Sequence, residues 1–211
     1  MYVPVHFEEN RVEVLHATIR RIRFASLVTV TGDGPVASHV PMLLDPAPAP
    51  FGTLSGHIAR SNTQWRDTIA GGSALAIFLG ADAYVSPSLY PTKRQTGKVV
   101  PTWNYLAVHA TGPASWFEDG ERLLKLVTAL TEREEGPRRQ PWAVSDAPAD
   151  YVQSMLRAIV GFEIPITRLE GKWKMSQNRT AEDRAGVSGG IAEEGDRGAA
   201  EVGRIVAERA K

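Results

Sequence analysis

The sequence predicts a small antiparallel β-barrel with peripheral helices, a mainly β member of the α+β class, and three observations carry that assignment. Alternating or β-branched apolar segments recur from Phe24 to Leu169 with short turns between them. An Asp33-Gly34 pair sits between two of them and readily adopts the positive φ angles of a hairpin, so those strands run antiparallel. Helical patterns interrupt the strands irregularly, without the repeated strand-helix alternation of a parallel sheet. The 211 residues suit one domain, or one with an appendage. With no cysteine, disulfides, thiolate metal sites and cysteine nucleophiles are excluded, and a reducing compartment is the simpler reading. Lys and Arg number 24, as do Asp and Glu, which argues against a broad phosphate-binding face. The acidic amino end, broken by Pro4, lacks the pattern of a signal peptide, and no apolar stretch reaches membrane-spanning length. The expectation is a cytoplasmic protein with no membrane partner.

Along the chain, Val12, Leu15, Ile19 and Ile22 recur at helical spacing after Asn10, a capping residue. Phe24 to Thr31 forms a strand that turns at Gly32-Asp33-Gly34 into a second, whose Val36, Ser38, Val40, Met42 and Leu44 share the expected core face. Thr53 to Ile58 is the third strand. Ser61-Asn62-Thr63-Gln64 has capping-box spacing and opens a short helix to about Ile69. Ser73 to Leu79 and Tyr84 to Ser86 read as strands separated at Gly80, and Pro87 to Lys98 as a polar loop. Val99 to Trp116 is the longest strand-like run, and after it comes a helix with Leu123, Leu124, Val127 and Leu130 on one face. A helix capped by Asp146 leads into the last strong strand, Ile159 to Leu169. From Ser176 onward no core is expected. Residues 1–190 form the domain, and 191–211 form a polar extension, helical or disordered, weakened by Gly195, Gly198 and Gly203.

Several motif-like strings fail on context. Gly32-Asp-Gly34-Pro-Val-Ala37 leads into a strand where a dinucleotide fingerprint needs a helix. Gly186-Val-Ser188-Gly-Gly190 matches a nucleophile elbow but has no buried strand before it. The five histidines have no metal-site spacing, and no catalytic residue or metal ligand is assigned.

Three segments concentrate polar, cationic and aromatic side chains. The first is Gly56-His57-Ile58-Ala59-Arg60-Ser61-Asn62, where a guanidinium precedes a helix start; it is an anion site in outline or an ordinary capped helix with an exposed arginine. In the second, Lys98 to His109, Thr102 and Asn104 share a strand face with Leu106 and Val108, while Trp103, Tyr105 and His109 occupy the other. Such a face suits a planar heteroaromatic ligand with a charged tail, or packs on a helix or a partner subunit. The aromatic face should be largely buried, because left open it forms an unusual apolar patch. The third, Gly171-Lys-Trp173-Lys-Met-Ser-Gln177-Asn-Arg179, could stack on a nucleotide-like ligand or be a solvated strand end. Together they suggest one pocket for an anionic aromatic cofactor.

These segments resemble the PaiB family of FMN-binding split-barrel proteins, labelled negative transcriptional regulators. The resemblance rests on Met1-Tyr-Val-Pro-Val-His-Phe7, Gly56-His-Ile-Ala-Arg60, Ala83-Tyr-Val-Ser-Pro-Ser88, Lys98-Val-Val-Pro-Thr-Trp-Asn-Tyr-Leu-Ala-Val-His109, Ile159-Val-Gly-Phe-Glu-Ile-Pro-Ile166 and Lys172-Trp-Lys-Met-Ser-Gln-Asn-Arg179, and reaches to about Gly190. It implies a six-stranded antiparallel split β-barrel like the pyridoxamine-phosphate oxidases, a homodimer, and FMN near the subunit interface. It further implies that Arg60, Ser61 and Asn62 meet the cofactor's phosphate, and His57 is also assigned to the cofactor site. Lys98, Thr102, Trp103 and Asn104 would line the flavin or ribityl chain, and Trp173, Gln177 and Arg179 would close the site. The sequence departs from the family at Thr63 and Ala81, where Pro is common, and at Leu89, where Trp is common. Three functions are open: an FMN-dependent oxidoreductase taking electrons from a reduced nicotinamide or another donor; a DNA-binding repressor with FMN as sensory or structural ligand; or a haem-binding or haem-degrading split barrel with His57 or His109 at iron. The basic run Arg20, Arg21 and Arg23 gives DNA little support, since cations at a helix C-terminus explain it.

Overall fold

The computed structural model describes residues 1–193 and 197–209. Its elements run β1 (Glu8–Glu9), α1 (Val12–Ile22), β2 (Phe24–Thr31), β3 (Gly34–Pro41), β4 (Leu43–Asp45), β5 (Thr53–Ala59), α2 (Gln64–Asp67), β6 (Ser73–Val85), α3 (Lys93–Thr96), β7 (Thr102–Pro113), β8 (Ser115–Phe117), α4 (Gly120–Glu135), α5 (Ala149–Arg157), β9 (Ile159–Pro165), β10 (Arg168–Lys174), α6 (Ala181–Glu193) and α7 (Arg197–Glu208). A six-stranded sheet has the order β1-β10-β7-β6-β2-β3, and a four-stranded sheet the order β4-β5-β9-β8. The registers are antiparallel, as the hairpin signal requires. Contacts group the residues into two compact units: Met1–Leu15 with Leu79–Val108 and Glu170–Lys211, and His16–Phe78 with His109–Leu169.

In the second unit the β2–β3 hairpin pairs from Phe24↔Pro41 to Thr31↔Gly34. Gly34 closes it at φ 119°, an angle that strains any residue carrying a Cβ. Val40, Met42 and Leu44 are buried as expected, whereas Val36, near the turn, is exposed. Strand β5 pairs with β9 along its length, from Thr53↔Pro165 to Ala59↔Ile159. Leu54, Ile58, Val160, Phe162 and Ile164 are buried on these strands. Gly56 admits the Phe162 ring, which would lie 2.6 Å from a Cβ there. Asp119 caps α4 by accepting from the Arg122 N–H at 2.8 Å, and Leu123 and Leu126 pack with Phe117 and Leu156. The cap of α5 is Pro148, not Asp146. Asp146 instead accepts from the Ala143 N–H at 2.9 Å and closes the preceding 3-10 turn.

Strand β6 is continuous over 13 residues, where a break at Gly80 was expected. Its buried positions change phase, from Ala74, Ala76 and Phe78 to Ala83 and Val85, and that shift mimics a break in the sequence pattern.

The first unit departs most from expectation. A tenth strand, β10, comes after β9 and pairs with β1 as Glu8↔Lys172 and Glu9↔Gly171. Helix α6 runs through residue 190, and Val187, Ile191, Val202, Ile205 and Val206 are buried. Close packing supplies the core that sparse apolar residues concealed. A Cβ on Gly186 would meet the Leu89 carbonyl oxygen at 2.3 Å, and one on Gly190 would meet the Leu89 side chain at 2.4 Å. Ser188, at the centre of the elbow-like string, donates to the Gly203 carbonyl at 2.8 Å and is structural. Buried Asp183 accepts from the Thr92 N–H and hydroxyl at 3.1 and 2.8 Å. Gly195, one of the residues expected to weaken the extension, lies outside the described residues.

Glu9, 4% exposed, accepts two bonds from Arg11 at 2.8 and 2.7 Å and an ion pair at 2.5 Å from Arg209, whose guanidinium also lies over the Trp173 ring. The Arg11 hydrogen bonds, with those from Arg209, hold the Glu9 carboxyl down at about 2, against the cost of burial. A depressed carboxylate stabilises the fold fully above its unfolded pKa, about 4.5, and that contribution disappears as pH falls toward 2. Glu9→Gln should therefore lower the urea midpoint at pH 7 and flatten the loss of stability between pH 4.5 and 2. An unchanged acid limb would show that Glu9 contributes nothing to it.

Candidate functional site

The turn after β5 is built differently from a capping box. Helix α2 has four residues, and its N-cap, Thr63, makes no side-chain capping bond. Asn62 Oδ1 instead accepts from the Gln64 N–H at 3.0 Å, and its amide donates to Ser38 at 2.7 Å. The Gln64 side chain, expected to cap, is buried in the sheet. So short a helix has too small a dipole to hold an anion, and the site rests on side chains.

Arg60 supplies the first of these. Its Nε donates to the Arg157 carbonyl at 2.6 Å, Nη2 to the Ile159 carbonyl at 3.3 Å, and Nη1 to the Glu118 carboxylate. Its own N–H donates to the Ala158 carbonyl at 2.8 Å, and its carbonyl accepts from the Trp65 indole at 3.2 Å. Arg60, Ser61, Arg66 and Ala158 line a cavity of about 430 Å³. Arg66 lies with its guanidinium 4.7 Å from the Trp65 ring centroid. Two guanidiniums and a hydroxyl are the donor set a phosphate monoester needs. Sequence reasoning missed Arg66 and Glu118. Arg66 was legible as the next cation along the helix, whereas no local signal links Glu118 to a residue 58 positions away.

His57 points elsewhere. It lines a second cavity of about 300 Å³ with Val127, Trp142, Tyr151 and Met155, and burial pushes its imidazole below the ordinary pKa, toward the neutral form.

The remaining candidates lie in the other unit, where most are committed to structure. Asn104 is fully buried and pairs with Ser176, donating at 3.0 Å and accepting at 3.3 Å. The polar end of its strand face is therefore filled by protein. Thr102 accepts from Lys174, whose ammonium also reaches the Trp103 carbonyl at 2.8 Å. Trp173 is buried, and Gln177 ties a turn together, donating to the Trp173 carbonyl at 2.5 Å and accepting from the Met175 N–H at 2.7 Å. Arg179 lies 4.8 Å from the Tyr90 ring centroid. Lys98 is exposed, and Trp103 is 54% exposed with its ring edge-on to Tyr84 at 5.9 Å. Within one chain, then, the aromatic face is not covered as expected: Tyr105 and His109 are only half-buried. Among the described residues no helix is long and apolar enough to cross a membrane, and no cluster of His, Asp or Glu could hold a metal ion.

A depressed His57 stabilises the fold fully above the unfolded value near 6.5 and loses that contribution as pH falls below it, because the unfolded chain then binds the extra proton. His57→Leu should therefore reduce the fall in unfolding free energy between pH 7 and 5. A slope identical to wild type would remove His57 from that dependence.

Residues 1–168 match the family described as "Putative FMN-binding domain". The chain is 33% identical to the protease synthase and sporulation protein PAI 2 of Bacillus subtilis over 187 residues, 89% of this chain and 87% of that one. It is 34% identical to an uncharacterised protein of Aspergillus fumigatus, covering 99% of this chain and 97% of the relative. Among solved structures it resembles the FAD and haem binding protein from Mycobacterium smegmatis, with TM-score 0.59 and 17% identity over 84% of this chain and 78% of that one. It likewise resembles the flavocytochrome Anf3 from Azotobacter vinelandii, with TM-score 0.57 and 12% identity over 85% and 73%. At such identities the structures speak for the fold, which is the split barrel of flavoproteins, and the family match names FMN as the cofactor. With a family match over most of its length and a relative one-third identical across nearly nine-tenths of it, the chain belongs to the PaiB family of FMN-binding split-barrel proteins.

Proposed function

We propose that the protein is a redox-active flavoprotein that holds the phosphate of FMN in the cavity lined by Arg60, Ser61 and Arg66. The observation that carries this reading is that two arginines and a serine, Arg60, Arg66 and Ser61, line one cavity of about 430 Å³. Asn62 acts here through the turn, which it braces by bonding Ser38 and the Gln64 N–H. Of the second group, Lys98 and Trp103 carry exposed side chains, while Thr102, Asn104 and Gln177 are engaged by hydrogen bonds within their own unit. FMN, when bound, supplies electron or hydride transfer, and the chain supplies binding, orientation and access. A second copy of the chain is the proposed cover for exposed Leu79, Tyr84, Val100 and Trp103, whose apolar surface is costly to leave in water.

Any regulatory role is proposed to depend on the state of the flavin rather than on a DNA-binding face. Acidic and basic residues balance, and Arg23 of the basic run is paired with Glu134 at 2.9 Å. A flavin signal would reach transcription through a partner. Nothing in the fold or the donor set favours the haem alternative over FMN.

Titration of FMN and riboflavin tests the cofactor site. Losing a charge-assisted hydrogen bond costs about 1.5–3 kcal/mol, so Arg60→Ala and Arg66→Ala should each weaken FMN roughly 10- to 100-fold and leave riboflavin nearly unaffected. If both variants bind FMN as tightly as wild type, the phosphate lies elsewhere. For function, a reduced nicotinamide or dithionite should bleach the flavin band of the holoprotein, with reoxidation in air. A flavin that no donor reduces, together with operator binding that survives physiological salt, would make FMN a ligand of a repressor. Sedimentation should give a dimer that Trp103→Asp dissociates.

A further inference from the structure

We infer that Glu118 is the resident counter-ion of Arg60, a carboxylate that holds one edge of the guanidinium until a phosphate displaces it, and that it thereby sets how strongly the site prefers a phosphorylated flavin. The inference rests on the reading that Arg60 receives the phosphate of FMN.

The geometry separates what aims Arg60 from what neutralises it. A guanidinium has five N–H groups in a rigid plane. Nε and Nη2 are spent on the Arg157 and Ile159 carbonyls, which fix that plane on the junction between α5 and β9. The backbone of Arg60 is fixed as well, through Ala158 and Trp65. Glu118 adds a charge to a residue that four other bonds already hold. The pair is only partly shielded from solvent, with side chains 34% and 50% exposed, so holding it together contributes little to stability and its exchange for another anion is cheap. Glu118 is also free of the duty its neighbour performs: Asp119, not Glu118, caps α4.

A carboxylate in that position acts on ligands by charge. It occupies Nη1, one of the donors a phosphate oxygen would use, and it repels a dianion entering the cavity that Arg60 and Arg66 line. Riboflavin, which lacks the phosphate, meets neither obstacle. Glu118 therefore lowers the affinity for FMN without touching the affinity for the flavin ring, and it keeps two guanidiniums from standing unneutralised at one cavity when the ligand is away.

The experiment compares FMN and riboflavin binding to wild type, Arg60→Ala, Glu118→Gln and Glu118→Ala at low and at physiological salt, with thermal unfolding confirming that each variant is folded. Glu118→Gln keeps the side chain's size and removes its charge. It should tighten FMN about tenfold at low salt, by a smaller factor at higher salt, and change riboflavin by less than about twofold. Glu118→Ala should do the same if removal of the charge is what matters. If FMN binds Arg60→Ala as it binds wild type, the phosphate reading fails, and the inference with it. If Arg60→Ala weakens FMN but both Glu118 variants bind it equally or less tightly than wild type, Glu118 only positions Arg60 and the inference is overturned. Equal tightening of FMN and riboflavin would overturn it too, because the effect would not depend on the phosphate.

Discussion

The carboxamide of Gln64 fixes the turn after β5, and the proposed anion site hangs on that turn. Gln64 is 2% exposed. Its Nε2 donates toward the Leu27 carbonyl, the Thr29 hydroxyl and the Val36 carbonyl at 3.2, 3.0 and 3.3 Å, and its Oε1 accepts from Ser38 at 2.6 Å. One side chain thus ties α2 to both strands of the β2–β3 hairpin. Satisfied, such a buried group costs little. Deprived of one partner it leaves groups whose desolvation costs about 1–3 kcal/mol each, so the turn has one stable placement. Trp65, the next residue, holds the Arg60 carbonyl from the same helix. The position of a surface cation is therefore set by polar groups buried in a sheet.

That arrangement explains why the site was half legible. Arg60 and Ser61 are visible as cation and hydroxyl at a turn, and their chemistry is the same whether or not a capped helix comes after them. By a local rule Gln64 reads as the closing residue of a capping box, because its real partners come from β2 and β3 and no spacing rule joins them. Asn104 misleads in the opposite sense: a polar residue at the end of an apolar strand face looks like a ligand contact. Here Ser176, held at φ 62°, supplies its bonds. Strand boundaries fared better where the determinants are adjacent. Strand β2 and its turn fall where Phe24 and Asp33-Gly34 place them, but the strand expected to run on to Leu44 ends at Pro41, and Leu43–Asp45 pairs with β5 in the other sheet. A helix is one of the two readings of 191–211, but its buried face escapes reading, because glycine there signals low helix propensity while its use in α6 is close packing.

The positions where this chain departs from its family are explained by their surroundings. Thr63 has φ −71°, an angle proline also adopts, and its side chain makes no capping bond, so the exchange leaves the turn unchanged. Ala81 lies inside the uninterrupted β6, and proline there would remove a backbone donor from the strand. Leu89 is the consequential change. It sits against Gly186 and Gly190 of α6 at distances that leave no room for a Cβ on either glycine, and a tryptophan's added volume would push the helix away. Asp183 of the same helix takes both the N–H and the hydroxyl of Thr92. The loop from Pro87 to Thr96, where the resemblance implies an aromatic in other members, is clamped by α6 at Leu89 and at Thr92. Leu89 and the two glycines form one packing solution. The same packing leaves the loop's exposed Lys93 and Arg94 and the exposed Glu182 of α6 lining, with Tyr90, a cavity of about 680 Å³ beside it, so the charge at that cavity is set by the loop and the helix together.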